Sequence, residues 1–378
     1  MTGIAIVGCG FVADYYMETL ASYPSLHLCG VYDRDAERLM AFSSHYGVAR
    51  YANVDDVLRD PRVSIVLNLT NPREHYQLSR QCLLAGKHVY SEKPLAMDFA
   101  EAEDLVLLAR SQGLQIASAP CSVLGVAAQT LWKAVRDGVC GKVRLVYAEL
   151  DDGMLHKMPY KKWHSVTGAP WPYKDEFEVG CTLEHAGYYL TWLVAMFGEI
   201  EHIVAYSACL VPDKLPDETL SPSGTADSSL AVLRFSGGVV VRLTTTIVGP
   251  ADRSIRIIGD GGVLSVNDCW NNAAPVRFRQ LMSVRRKTFL SPVARRVQYK
   301  GAPVSTTTRN GATQMDFMLG VDEMAAALTS GVEASLAMEL ALHVNEAALV
   351  LQNASDAGVC HVMKSRLQQP MVPAEWAR

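Results

Sequence analysis

Lys93, in the run Glu92-Lys93-Pro94, is an amine that can hold a proton or donate a hydrogen bond to a developing alkoxide. Pro94 has no amide hydrogen and a fixed φ, so it ends the short apolar run before it and restricts Lys93 to extended backbone. The lysine is therefore aimed. A second group of residues is the loop Gly8-Cys9-Gly10-Phe11-Val12-Ala13, which separates the β-branched run Gly3–Gly8 from a helical pattern reaching Leu20. In such a loop Gly8 permits a tight turn, Gly10 lets backbone approach a pyrophosphate, and the small Ala13 allows close helix packing. The helix start at Phe11 and Val12 offers free N–H groups to phosphates. Dinucleotide binding is the chemistry this spacing suits.

Further along, the strand-like run Leu26–Tyr32 ends at Asp33, whose carboxylate can accept hydrogen bonds from an adenosine ribose and disfavours a 2′-phosphate. Arg34 can pack on adenine or tolerate the extra phosphate, so NAD is the expected cofactor and NADP the second choice. Asp33 can also cap a helix over Ala36–Tyr46. A run from Val63 to Leu69 delivers Thr70-Asn71-Pro72 to the carboxyl end of a strand, where ligands bind in open α/β sheets. His75 either reaches that site or only begins the next helix, and Glu92 and Lys93 close the following strand.

The elements that must position these residues alternate. Helices over Arg73–Leu84 and Ala100–Gln112 and a last strand over Leu114–Ala119 predict an α/β fold with a doubly wound parallel sheet ending near Pro120. The expected division is a dinucleotide-binding domain at 1–121 and a substrate-binding and oligomerisation α/β domain at 122–378. In the second, a helix over Ala127–Arg136 and a strand over Lys142–Leu150 precede an irregular aromatic stretch, His156–Phe177. Its Trp163 and His164 are expected to line a substrate pocket or to pack. One helix over Thr182–Phe197 then leads to strands over Ile200–Leu210, Ser228–Phe235, Val239–Val248 and Ser254–Ile258, with a hairpin at Ser236-Gly237-Gly238. Consecutive strands predict a large, mostly antiparallel open sheet. Helices on one face would leave the other for self-association, so a homodimer or homotetramer is expected. The stretch from Trp270 to Gly311 has no clear period, while Gln314–Thr329 and Leu336–Asn353 read as helices.

Composition narrows the function classes. At 378 residues the chain is long for one core, and 49% hydrophobic with 20% charged residues is globular. A net charge of −4 gives no attraction to nucleic acid. Nine scattered cysteines, never spaced C-x-x-C, point away from zinc and disulfides and toward the reducing cytoplasm. No run approaches bilayer-spanning length, so neither a membrane nor a metal partner is expected.

With the glycine loop, Ala85-Gly86-Lys87-His88-Val89, Glu92-Lys93-Pro94, and the runs GVDEMAAALTSG (320–331) and ALHVNEAALVL (341–351), the chain resembles the Gfo/Idh/MocA oxidoreductases over nearly its whole length. The resemblance implies an amino-terminal Rossmann domain and a carboxyl-terminal α/β domain whose open sheet makes oligomer contacts. It also implies NAD(P)-dependent oxidation or reduction of a sugar, cyclitol or nucleotide-sugar, with Lys93 beside the nicotinamide and the reacting oxygen. The family's second catalytic element is a helix carrying an aspartate and, one turn later, a histidine. Counting forward from Gly180 or backward from Gly198 puts Glu184 and Tyr188 there; anchoring on Gly187 puts His185 and Tyr189 there instead. Some relatives carry tyrosine at the histidine position. Either pair is one turn apart and shares a helix face, and Tyr189 also suits the core.

The implied chemistry is hydride transfer at a CH–OH carbon, with the proton passing through Tyr188 or Lys93 and Glu184 holding a neighbouring hydroxyl or orienting Lys93. Two alternatives stand beside it: a redox-neutral reaction on tightly held NAD, such as glycoside cleavage, and a catalytically silent cofactor-binding regulator.

Overall fold

A computed structural model describes residues 1–304, 308–309, 312–354 and 360–378. The chain divides into two compact units, one of Met1–Cys121, Lys157–Val179 and Asp316–Asn345, the other of Ser122–His156, Gly180–Met315 and Glu346–Arg378.

The first unit is built on a parallel sheet of β1 (Thr2–Val7), β2 (Leu26–Tyr32), β3 (Ile65–Asn68), β4 (His88–Ser91) and β5 (Ile116–Ser118), in the order β2-β1-β3-β4-β5. Ile4, Ile6, Ile65, Leu67 and Val89 are fully buried, as strands covered on both faces require. The connecting helices are α1 (Phe11–Leu20), α2 (Ala36–Tyr46), α3 (Val54–Arg59), α4 (His75–Leu84) and α5 (Phe99–Ser111). The short α3 was not anticipated; Asn53 caps it by accepting the Asp56 amide at 2.9 Å. Chain direction across the sheet reverses at β1, which makes the loops after β1 and β3 diverge and leaves a crevice between them.

Two later segments join this unit through polar ties. Thr167 Oγ1 donates to Asp14 at 2.8 Å, Asn71 Nδ2 to Asp175 at 2.8 Å, and Arg73 pairs with Glu178 at 2.9 Å. From the carboxyl-terminal side, Asp316 accepts the hydroxyls of Thr19 and Tyr23, both at 2.6 Å, and Asn345 bonds both backbone polar groups of Ala96. The aromatic stretch expected in the second domain thus groups largely with the nucleotide-binding sheet.

The second unit holds a ten-stranded sheet. Its central strands are β6 (Val143–Asp151), β7 (Ile200–Ala208), β8 (Ser228–Phe235), β9 (Val240–Thr246), β10 (Ile255–Gly259), β11 (Gly262–Val266) and β12 (Arg277–Val284), in the order β12-β11-β10-β6-β9-β8-β7. Strand Lys287–Leu290 and the pair Arg295–Arg296 extend it beyond β12, and Cys360–Val362 closes the far edge on β7. Only β6 and β9 run parallel among the paired strands. Among the described residues, four strands, β12 with its two extensions and Thr308–Arg309, therefore lie in the stretch from Trp270 that showed no period; its residues 305–307 and 310–311 lie outside the described residues.

The expected single helix over Thr182–Phe197 is two helices, Cys181–His185 and Gly187–Phe197. The break falls at Ala186, beside Gly187, whose backbone freedom weakens a helix at that point. Ala186 keeps helical dihedrals, φ −55° and ψ −30°. Gln352 caps the first helix, its Oε1 accepting the Thr182 and Leu183 amides at 3.0 and 3.2 Å. Among the described residues no helix is long and apolar enough to cross a membrane.

Candidate active site

Register brings the candidate residues of the first unit to one edge. Val7 pairs with Tyr32 and Asn68, and Asn68 with Ser91, so Gly8, Asp33, Thr70 and Lys93 all follow the carboxyl ends of neighbouring strands. Gly8 has φ +100°, and a Cβ there would lie 2.5 Å from the Leu69 carbonyl oxygen, so both turn and packing demand glycine. A Cβ at Gly10 would meet nothing within 4 Å. The fold leaves that position open, as a loop that admits a phosphate must.

A cavity of about 250 Å³ opens at this edge, lined by Gly8, Gly10, Asp33, Arg34, Thr70 and Asn71 among others. Asp33 Oδ2 accepts the Cys9 amide at 2.8 Å and Oδ1 the Asp35 amide at 2.8 Å, tying the glycine loop to the end of β2. The helix cap expected of Asp33 belongs to Asp35, which accepts the Glu37 and Arg38 amides at 3.0 and 3.1 Å. Sequence reasoning missed Arg38, which lines the cavity and places Nε 3.2 Å from Asp33. One helical turn beyond Asp35, it is where a side chain of α2 returns toward the strand end. Arg34 reaches Glu74 at 3.2 Å on the exposed rim.

The lysine turn is braced from below. Glu92 is buried; its Oε1 accepts the Tyr16 hydroxyl at 2.7 Å and its Oε2 the Lys93 amide at 3.1 Å, while its own amide donates to Asn68 at 2.8 Å. Burial first, and then the Glu92 charge, push the Tyr16 phenol well above its ordinary pKa, so it stays a donor. Glu92, expected at the cofactor, holds the lysine turn through these bonds, and neither it nor Lys93 is among the cavity's lining residues. The Lys93–Pro94 peptide is cis.

His75, also expected at the cofactor, is fully buried and absent from the lining. Its Nδ1 lies 2.6 Å from the Pro94 carbonyl oxygen and its Nε2 3.0 Å from that of Thr70. Pro72 begins a 3-10 turn, Pro72–Glu74, and Phe11 and Val12 open α1 as expected. Buried Asn68 was missed. It accepts from Thr70 Oγ1 at 2.6 Å and donates to the His75 carbonyl and Ser79 Oγ, both at 3.0 Å, which shapes the Thr70–Asn71 loop. The signal was present: one polar residue near the end of an otherwise apolar strand run. Trp163 meets Trp171 edge to face at 5.2 Å, and His164 is exposed with Nδ1 3.0 Å from the Lys162 carbonyl oxygen.

In the second unit Glu184, His185 and Tyr188 are buried. The rings of His185 and Tyr188 both lie against Trp270, at 6.1 and 5.5 Å. Tyr189 points elsewhere. It is fully buried against Trp192, and its hydroxyl donates to the Arg253 carbonyl at 2.5 Å, with burial the main cause of a phenol pKa well above the ordinary value. Tyr189 therefore fills the core, and His185 with Tyr189 do not form a facing pair. Trp270 was not singled out from sequence; the Arg253 guanidinium stacks on it at 4.2 Å and reaches Asp152 at 3.2 Å.

Residues 2–119 match the oxidoreductase family with an NAD-binding Rossmann fold, and residues 128–265 match the GFO/IDH/MocA C-terminal domain. The chain belongs to the Gfo/Idh/MocA oxidoreductases. This oxidoreductase is 25% identical over 292 residues to the trans-1,2-dihydrobenzene-1,2-diol dehydrogenase of Mus musculus, which covers 76% of this chain and 80% of that one. Its fold is similar to an NAD-binding oxidoreductase from Klebsiella pneumoniae, with TM-score 0.76, 16% identity, and 96% and 100% of the two chains covered. A homologue of inositol dehydrogenase from Azotobacter vinelandii, solved with NADH and myo-inositol, gives 0.74 at 18% identity, covering 96% and 97%.

Proposed function

We propose that this oxidoreductase uses a nicotinamide dinucleotide, preferably NAD, to oxidise or reduce a CH–OH carbon of a sugar, cyclitol or related diol. The observation that carries the reading is a braced lysine at the same sheet edge as a cavity lined by the glycine loop and Asp33. When bound, the nicotinamide supplies the hydride acceptor or donor. Lys93 donates a hydrogen bond to the reacting oxygen, a contact worth most when charge develops there. Gly8, Gly10 and the start of α1 hold the pyrophosphate, and Thr70, Asn71 and Pro72 border it. The Asp33 carboxylate, fixed by two amides, favours ribose hydroxyls over a 2′-phosphate.

Tyr188 is proposed to exchange the proton and Glu184 to hold a neighbouring hydroxyl, with Trp163 and His164 contributing to sugar recognition. Tyrosine begins from a pKa near ~10, so a neighbouring positive charge must make it more acidic for that role. The sugar or diol class rests on the relatives' activities, and the scattered cysteines favour a cytoplasmic location. The open face of the second sheet is proposed to pair with another copy. Cross-strand partners Val204 and Val232, and Tyr206 and Leu230, stand exposed there in rows beside Val362.

A panel of polyols, sugars and diols with NAD and NADP tests the reading by absorbance of the reduced nicotinamide. Turnover of one class with NAD favoured supports it; cofactor binding without turnover of any of them would favour the regulator.

A further inference from the structure

His75 lines no part of the cavity, yet it joins the two segments that carry the chemistry. Its imidazole is fully buried between the carbonyl oxygen of Pro94, next to Lys93, and that of Thr70, at the cavity wall. A carbonyl oxygen can only accept, so both contacts are hydrogen bonds only if both ring nitrogens carry protons. A neutral imidazole has one such proton and would set a lone pair against a carbonyl dipole 2.6 or 3.0 Å away. We propose that His75 is held as an imidazolium and is a positioning residue, pinning the Lys93–Pro94 turn to the Thr70–Asn71 loop so that the aim of Lys93 depends on the His75 charge.

The surroundings bear on whether a cation belongs there. On its own segment, Arg73 pairs with Glu178, Glu74 with Arg34, and Arg80 and Tyr76 with Asp104 of α5. The Asn68–Thr70 loop carries no charge and also holds the His75 backbone carbonyl through Asn68. The lysine turn contributes Glu92 and Lys93 themselves. Asp175 accepts from Asn71, and buried His343 lies on the helix whose Asn345 grips Ala96. The neighbouring arginines, Arg73 and Arg80, are therefore already matched by carboxylates. Burial works against the charged ring, and two charge-assisted bonds to carbonyls work for it.

The expected pH behaviour follows directly. As pH rises and His75 loses its second proton, one carbonyl contact turns repulsive, the turn loosens from the loop, and turnover falls on the alkaline side.

The proposal uses the reading of Lys93 as the lysine that meets the reacting oxygen, so one arm of the test is independent of activity. Protein labelled with ¹⁵N-histidine is examined by NMR above about pH 7, where an ordinary histidine of pKa near 6.5 is neutral. The His75 signals are assigned by their loss in His75→Asn. Both His75 nitrogens are expected at protonated shifts; one unprotonated nitrogen there overturns the imidazolium. In the second arm, His75→Asn is expected to lower kcat about 10- to 100-fold, keep cofactor affinity within about threefold, and flatten the alkaline fall of the kcat profile. Equal losses of kcat and cofactor affinity, or an unchanged alkaline limb, would overturn the positioning role. A Lys93→Ala protein that stays active would sink the lysine reading while leaving the NMR result to judge the imidazolium alone.

Discussion

The lysine turn of the first unit and the Glu184–Tyr189 segment of the second are held in opposite ways. The turn is fixed through backbone and neighbours: the Lys93 amide on Glu92, Glu92 on Tyr16, and the Pro94 carbonyl on His75. The helical segment is held by its own side chains, with His185 and Tyr188 against Trp270, and Tyr189 against Trp192 and the Arg253 carbonyl. A turn held by polar ties separates placement from chemistry, whereas a segment held by ring packing merges them. Trimming the lysine side chain in the first should cost activity more than stability; in the second the two must be dissected atom by atom.

The largest expected effect is at Lys93. Lys93→Ala should lower kcat by roughly a thousandfold, the size of effect a lost transition-state donor produces, with cofactor affinity retained and a thermal midpoint that falls far less than activity does. Global unfolding of Lys93→Ala in calorimetry would break the comparison. Next come the paired tyrosines. Tyr188→Phe keeps the ring on Trp270 and should lower turnover by about 10²-fold. Tyr189→Phe leaves the Arg253 carbonyl without its donor and should cost about 1 kcal/mol in urea unfolding while turnover holds. The reverse pattern would move the chemistry to Tyr189.

The glycine loop sharpens the same contrast within one strand end. Gly8→Ala meets the Leu69 carbonyl at a positive φ and should destabilise by at least about 2 kcal/mol. Gly10→Ala meets nothing and should leave stability within about 0.5 kcal/mol. Its cost should appear only in cofactor affinity, by about tenfold in a binding titration.

The smallest effect lies in the second unit. Burial, and then the charge of Glu149, raise Asp151 to about 6. Because the folded pKa exceeds that of the unfolded chain, the folded state loses stability as pH rises through about 6 and regains it toward the unfolded value. Asp151→Asn should therefore melt higher than the wild type above neutrality, with the gain shrinking as pH falls from about 6 toward 4. A gain that grows on acidification would contradict the sign.

Legibility followed local signals. The first five strands and their helices other than α3 lie within a residue or two of expectation, because apolar runs there are punctuated by Gly8, Gly86 and Pro94. β12 was illegible because nearly all of it is exposed, leaving no alternation to read. The grouping of 157–179 with the first unit depends on Asp14, Arg73 and Asn71, whose partners lie over a hundred residues away and carry no periodic mark. At the cavity, the places of Gly8, Asp33, Thr70 and Asn71 could be read because each follows a strand end. His75 and Glu92 could be read as near the site but not as braces, since nothing in a sequence tells whether a polar group faces a ligand or a buried carbonyl. Asp33 and Asp35 show the same limit: two acids in one turn, whose division of labour only the backbone decides.

The most direct test of the central claim follows the hydride itself. Wild-type protein is incubated with NAD and polyols, sugars or diols deuterated at the carbinol carbon, and the nicotinamide is recovered for mass spectrometry. The account predicts deuterium in the reduced cofactor from at least one of these classes, lost in Lys93→Ala. Product formed with no deuterium in the nicotinamide, or equal transfer by Lys93→Ala, would contradict it.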